Sequence, residues 1–293
     1  MKAISVYMYK GGVGKSFISE NLAIRLANRG LKVLAIDFDQ QGNLTEHFGI
    51  DFYDENQDGI HTLMNKVIGN ERITKAVIDR CIVRPTYNKK VMVKPRMPYA
   101  DVQVEYGIDL IPMNMLFINT VLPLENSPEA IKGTFLFRVM SQIEQFYDYD
   151  YVVIDCPPAF GTLSANALYL NNGHILMPVK GFDSARGAEK LVPILMTVGE
   201  SAVRNGVNWG GPLGIILNNF IKRDVGDQNV YNSREDLFKG YYIFDSVIPH
   251  YSEAEQAIGG NVILSIKNKD TRDMFDQVAN EVINRINSTE EVK

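Results

Sequence analysis

The stretch Met8-Tyr9-Lys10-Gly11-Gly12-Val13-Gly14-Lys15-Ser16 carries residue types suited to holding phosphate. Glycines at 11, 12 and 14 let successive backbone N–H groups turn inward around Val13, and a helix starting just after them adds its positive end to the same anion site. Lys15 then reaches the β- and γ-phosphates of a nucleotide as a point charge, and the Ser16 hydroxyl is a natural ligand for Mg2+. The common pattern, G-x-x-x-x-G-K-[ST], wants a glycine where this chain has Tyr9; a second lysine, Lys10, follows it. Phosphoryl transfer to water also needs a metal clamp and a group that positions the attacking water. Carboxylates for both tasks stand at two strand ends, Asp37 and Asp39 after one apolar run and Asp155 after another.

The elements that must carry these residues follow from the periodicity. Ala3 to Met8 is expected as a buried strand, Ser16 to Arg29 as a helix with Ile18, Leu22 and Leu26 on one face and Gly30 as its stop, and Leu31 to Ile36 as the next strand. Further strands are expected at Ile108 to Ile111, Tyr151 to Ile154, Ile175 to Val179, Leu213 to Leu217 and Ser246 to Ile248. Helices are expected over Glu129 to Phe146, Leu163 to Leu170, Ala185 to Val203 and Thr271 to Ile286. This alternation implies an α/β fold, a doubly wound, mostly parallel sheet in one domain over residues 1–293. The segment Arg84 to Gln103 breaks the rhythm with three prolines and the basic residues Arg84, Lys89, Lys90, Lys94 and Arg96; it is expected as an inserted basic loop or hairpin at about 84–103.

Composition narrows the classes. A chain of 293 residues with 45% hydrophobic content can bury a full core, and no apolar stretch approaches the ~20 residues that cross a bilayer. Two isolated cysteines, Cys81 and Cys156, argue for a reducing compartment and against a disulfide framework. The net charge of -5 excludes a wholly basic nucleic-acid coat, so any DNA contact must be a local patch.

Three motifs, Lys10 to Ser16, Asp37-Phe38-Asp39-Gln40-Gln41-Gly42-Asn43-Leu44-Thr45 and Asp155-Cys156-Pro157-Pro158, resemble the deviant Walker-A P-loop NTPases of the SIMIBI type, the family of ParA-type partition proteins and MinD. The resemblance implies an ATPase that uses ATP and Mg2+, with slow, partner-stimulated hydrolysis. It implies nucleotide contacts from Gly11, Gly12, Val13, Gly14, Lys15, Ser16 and Phe17, and Mg2+ held by Ser16 with Asp37 and Asp155. Lys10 would cross a dimer interface to the partner's nucleotide, and Asp39 would orient or activate water. Asn218 and Asn219 match the adenine-contacting position. The chain departs from the family at Gln40, where proline is usual, at Phe17, where a hydroxyl residue is usual, and at His250 in place of arginine.

Within that family a short ParA-like partition ATPase fits best, since no helix-turn-helix segment precedes Met1. It would be a homodimer in the ATP state, cytoplasmic with nucleoid association. It would bind nonspecific DNA through Lys222, Arg223, Lys267, Lys269, Arg272 and the basic insertion, and answer to a ParB-like centromere-binding adaptor. The alternatives are a MinD-like positioning ATPase and a nucleotide-dependent scaffold without DNA. The first needs a basic amphipathic C-terminal helix, whereas Phe275, Val278, Val282 and Ile286 make a core stripe beside Asp273, Asp276 and Glu281, so no membrane contact is expected. A cluster-bridging reductase is disfavoured because Cys156 sits in an Asp-Cys-Pro-Pro turn and Cys81 in the irregular region. His47, His61, His174 and His250 have no ligand spacing.

Overall fold

The computed structural model describes residues 1–92, 99–251 and 263–291. The apolar opening forms β1 (Lys2–Val6), the glycine-rich loop leads into α1 (Lys15–Ala27), and the chain returns as β2 (Val33–Asp37). Three short helices follow, α2 (Asn43–His47), α3 (Ile60–Ile68) and α4 (Lys75–Cys81), and then strands β3 (Thr86–Met92), β4 (Tyr99–Glu105) and β5 (Asp109–Ile111). Helices α5 (Ile118–Glu125), α6 (Glu129–Lys132) and α7 (Phe135–Phe146) precede β6 (Tyr151–Asp155). From there strand and helix alternate: α8 (Thr162–Leu168), β7 (Gly173–Val179), α9 (Gly181–Arg204), β8 (Gly211–Phe220), α10 (Val225–Leu237) and β9 (Ile243–Pro249). Two helices, α11 (Leu264–Lys267) and α12 (Lys269–Glu291), complete the described chain.

Seven strands make one sheet in the order β5-β2-β6-β1-β7-β8-β9, and every pairing in it is parallel. Parallel strands need crossovers, and these place helices on both faces, which is why β2, β6 and β7 are apolar runs buried along their whole length. The doubly wound α/β arrangement is the one the alternation of apolar runs implies. Register aligns Val6 with Asp155 and Asp37 with Asp155, so the three central strands end level and aim their next residues at one rim.

On one face α1 packs Ile18, Leu22 and Leu26 against Phe275, Val278, Val282 and Ile286 of α12, all fully buried. Each such side chain stabilises the fold by about 1.5–3 kcal/mol relative to exposure. Arg25 forks both carboxylate oxygens of Asp276 at 2.9 Å and Arg29 Nη1 adds a third bond at 2.9 Å, locking the two helices in register. Acids of α12 are thus engaged within the fold: Asp276 by α1, Asp273 by Lys269 of its own helix, and Glu281 by the Tyr242 hydroxyl and the Asp245 and Ser246 N–H groups. The opposite face of the sheet is covered by α3, α7 and α9 with Leu63, Val139 and Leu191 at its core.

Some expectations shift. The helix expected over Glu129 to Phe146 is two helices, because Gly133 ends α6 as its C-cap and Thr134 is not helical. Cys81 is not in an irregular stretch; it ends α4, whose N-cap Thr74 accepts from the Val77 N–H. Helices α2 to α5 and α10 carry too few turns, or too polar a face, to declare themselves by periodicity. Within the 84–103 segment, β3 and β4 pair antiparallel from Thr86–Glu105 to Met92–Tyr99. Lys94 and Arg96 lie outside the described residues.

Candidate functional site

The glycine-rich loop runs from the end of β1 to α1 at the carboxyl rim of the sheet. Gly14 adopts φ 83, ψ 33, a left-handed conformation that L side chains avoid, and a Cβ there would sit 2.1 Å from Asn218 Nδ2. Asn218, near the end of β8, uses that same nitrogen to donate to the Val13 carbonyl at 2.7 Å, so a strand from the far part of the chain clamps the loop. Helix α1 has neither a side-chain cap nor an acid in its first turn. Its leading N–H groups and dipole are thus available to an anion cradled by Gly11, Gly12, Gly14, Lys15 and Ser16. Lys15 is 7% exposed, and its charge opposes, without cancelling, the upward push of burial on the carboxyls of Asp39 and Asp155.

The three carboxylates converge on this loop. Asp37 is fully buried and accepts from the Thr45 N–H at 2.8 Å, the Thr45 hydroxyl at 2.7 Å and the Asp39 N–H at 3.2 Å. Thr45 Oγ1 in turn accepts from the Met113 N–H at 2.9 Å. Asp155 accepts from Ser19 Oγ at 3.2 Å through Oδ1, while its Oδ2 is buried with no partner. Burial pushes both Asp37 and Asp155 above the usual carboxylate range; the charge of Asp155 raises Asp37 further, while the Ser16 hydroxyl lowers Asp155. Asp39, 5% exposed, is also raised by burial and is held by the Gln41 N–H at 3.1 Å.

Crowded, desolvated carboxyls with an orphaned oxygen fit a divalent cation. Among the described residues no three His, Cys, Asp or Glu side chains stand close enough to hold a metal directly. The donor set therefore fits Mg2+ taken through Ser16, ligand phosphates and waters ordered by Asp155 and Asp37, the habit of that ion.

Gly11, Gly12, Gly14, Lys15, Ser16, Asp39 and Asn218 line one cleft of about 510 Å3, which also includes Phe17, Gln41, Asn43, His47, Pro158, Lys180, Asn219, Pro249 and Tyr251, while Asp37 and Asp155 are fully buried outside its lining. Phe17 packs edge-on to Phe275 at 5.5 Å and tilts against Tyr251 at 6.4 Å, so the aromatic at this position joins α1 to α12 and forms an apolar wall of the cleft. Asn218 keeps a buried, unpartnered Oδ1, an acceptor suited to an amino group of a base. Asn219, at φ 57, places its Oδ1 2.5 Å from His250 Nδ1. Three lining residues, Lys180, Tyr251 and His47, belong to no motif of the sequence. Lys180 directly follows β7 and had a strand-end position as its signal. Tyr251 stands two residues beyond β9, with no local signal. His47 has no metal-ligand spacing in the sequence, and it stands 2.5 Å from the fully buried Glu20 of α1.

The remaining candidates lie outside the cleft lining. Lys10 lies 3.8 Å from Asp183 of its own chain, a pair 40% and 89% exposed. Lys222 and Arg223 are exposed in the turn after β8, and Lys267 is exposed at the end of α11. Lys269 is paired with Asp273, whereas Arg272 is half-buried. Since α12 runs from this rim to the base of the sheet, where Lys2 Nζ donates to Asn287 Oδ1 at 3.1 Å, all five basic residues flank the carboxyl rim. Cys81 and Cys156 are fully buried, and burial raises both thiols, Cys81 to about 12. Neither can bridge a cluster between subunits. Among the described residues no helix is long and apolar enough to cross a membrane.

A family model described as an AAA domain matches residues 1–205. The sporulation initiation inhibitor protein Soj of Bacillus subtilis is 33% identical over 179 residues, 61% of this chain and 58% of that one. The chromosome partitioning protein ParA of Myxococcus xanthus is 26% identical over 254 residues, 85% of this chain and 75% of its own. Among solved structures, the ATP complex of a substituted Cyanothece McdA superposes with a TM-score of 0.70 at 19% identity, covering 96% of each chain. That likeness bears on the fold alone.

Proposed function

Because the chain belongs to the AAA-domain family, as a P-loop ATPase of the ParA/MinD type, we propose that it hydrolyses ATP with Mg2+ to partition or position a cargo, DNA first among the candidates. One observation carries this reading: a single cleft joins an anion-binding loop at an uncapped helix, a buried lysine and Asp39, and next to it lie the fully buried carboxyls of Asp37, bonded to the Asp39 N–H, and Asp155, which keeps an unpartnered oxygen. Solved relatives bound to ATP, or to an ATP analogue with magnesium, support the choice of ligand.

In this mechanism the loop N–H groups and Lys15 hold the phosphates in line, and Ser16, backed by Asp155 and Asp37, holds Mg2+. When bound, the metal ion offsets negative charge on the phosphate oxygens. Asp39, fixed by the Gln41 N–H and facing Lys15, orients the attacking water. Adenine lies against Phe17 and Tyr251, with Asn218 Oδ1 and Asn219 as its polar contacts. Lys10 leaves the exposed Asp183 carboxylate and reaches the nucleotide of a second copy, so that hydrolysis waits on dimerisation.

The dimer then binds duplex DNA without regard to sequence through Lys222, Arg223, Lys267, Lys269, Arg272 and the basic hairpin, and a ParB-like adaptor stimulates turnover in the cytoplasm, at the nucleoid. Lys269 contributes least, its charge being engaged by Asp273. The test is ATPase rate with Mg2+, with and without nonspecific duplex DNA, joined to DNA binding at two salt concentrations. ATP-dependent binding that weakens steeply with salt is expected. Hydrolysis with no ATP-dependent DNA affinity at low salt would move the cargo to a non-DNA partner.

A further inference from the structure

Glu20 sits on the buried side of α1, one turn beyond Ser16, with no exposed surface. Its Oε1 accepts from Asn21 Nδ2 at 3.1 Å, and its Oε2 lies 2.5 Å from Nδ1 of His47, the last residue of α2. A carboxylate this deeply desolvated needs a cation or a proton, and His47 is the charged partner the fold supplies. His47 itself is 13% exposed and lines the same cleft as Lys15, Ser16 and Asp39. With Nδ1 committed to Glu20, the ring has Nε2 left for whatever occupies the cleft.

We propose that His47 is a further ligand-contacting residue of this cleft, its Nε2–H donating to the phosphate-bearing ligand while Glu20 holds the ring by Nδ1. The inference rests on the nucleotide reading above and deepens it by assigning a proton-linked contact to the same site. With Nδ1–H given to Glu20, only the imidazolium also carries a hydrogen on Nε2; the neutral ring presents a lone pair there, which repels phosphate oxygen. Ligand binding and protonation of His47 therefore favour one another, and affinity falls as the proton is lost.

The groups around the pair set where this happens. Glu20 of α1 raises His47, as do the more distant Asp155 of β6 and Asp37 of β2, against the opposing effect of burial. Glu46 neighbours it on α2, Lys15 and Lys180 line the cleft, and Tyr106, packed on Phe48 at 5.3 Å, faces Glu20 with its phenol raised to about 12. Net, His47 stays charged above the ordinary histidine range.

The experiment measures the affinity of the full chain for a non-hydrolysable ATP analogue with Mg2+ at pH 6.5 and 9, in wild type and in Glu20→Gln/His47→Gln. The double variant keeps an amide pair in place of the ion pair. Wild type should lose about tenfold more affinity across this range than the variant, the worth of one charge-assisted hydrogen bond. The His47 ring, followed by NMR in wild type, should titrate higher with the analogue bound than without it. Equal pH dependence in both proteins, or an unmoved His47 titration in wild type that binds the analogue, would overturn this assignment alone. Absence of analogue binding in folded wild type would overturn the nucleotide reading and this contact with it.

Discussion

Asn218 reaches from the end of β8 to the phosphate-binding loop and donates through Nδ2 to the Val13 carbonyl at 2.7 Å, in the space that a Cβ on residue 14 would need. Loop shape and a late strand are thereby one structural unit. Asn218→Ala leaves the buried Val13 carbonyl unpaired, and should cost about 1–2 kcal/mol of stability and about tenfold in ATP affinity. Gly14→Ala should lose more, since it adds the strain of φ 83 to the collision. Calorimetry and fluorescent-nucleotide titration check both. The double variant separates the causes: Asn218→Ala removes the colliding amide, so a fully restored Gly14→Ala/Asn218→Ala protein would show that strain in the loop is unimportant.

Asp155 sets function against stability. Its buried Oδ2 has no partner, and burial raises its carboxyl beside the equally buried Asp37. Asp155→Asn removes one of two crowded charges while keeping an acceptor for Ser19. In the absence of nucleotide it should melt higher than wild type, by about 1–2 kcal/mol or a few degrees for a chain this size. Its Mg2+-dependent hydrolysis should fall at least about a hundredfold. A variant that melts lower without nucleotide would show that Asp155 is not electrostatically stressed in the fold.

Lys10 and Asp183 stand 3.8 Å apart on the surface, an arrangement worth little to stability because water and salt screen both partners. Lys10→Ala and Asp183→Ala should accordingly melt with wild type and bind ATP normally. Only Lys10→Ala should lose turnover, by about a hundredfold or more, if the lysine acts across a dimer. Light scattering with ATP, read beside the ATPase rate, decides the matter. A dimer that hydrolyses ATP at the wild-type rate without Lys10 removes that residue from the chemistry.

The sheet and the loop were legible because both are written locally. Apolar runs such as Val33–Asp37 and Tyr151–Asp155 are buried along their length, and Gly11 to Ser16 follows β1 and opens α1 in the required order. Asp37, Asp39 and Asp155 announced themselves as residues at strand ends, where parallel sheets gather function. What sequence withheld was long-range pairing. Nothing local marks Glu20 as the partner of His47, 27 residues away, or Phe17 as the ring that meets Phe275. The Phe17 departure from the family pattern thus has a packing reason, visible only once α12 is laid beside α1. Helices α4 and α10 escaped for another reason: their caps, Thr74 and Asp224, were present, but α4 is too short to show a period and α10 buries only Val230 along its length.

The Glu20–His47 pair also gives stability a pH dependence whose sign is fixed. His47 titrates above its ordinary value in the fold, so its stabilising contribution is complete below about pH 6.5 and is lost as pH rises through the folded value. Raised carboxyls at Asp37 and Asp155 act in the same direction, because the native state also binds their protons more tightly than the unfolded chain does. Nucleotide-free protein should therefore lose melting temperature steadily from pH 6.5 to 9. In Glu20→Gln/His47→Gln the carboxyl contribution persists and the histidine contribution vanishes, so the slope should be shallower but not flat. His47→Ala alone should be worse than the double variant, by about 3 kcal/mol at pH 7, since it strands a fully buried Glu20 without a cation. Thermal melts of the three proteins across this pH range are the measurement, and a His47→Ala protein as stable as wild type would show that the pair contributes no ion-pair energy to the fold.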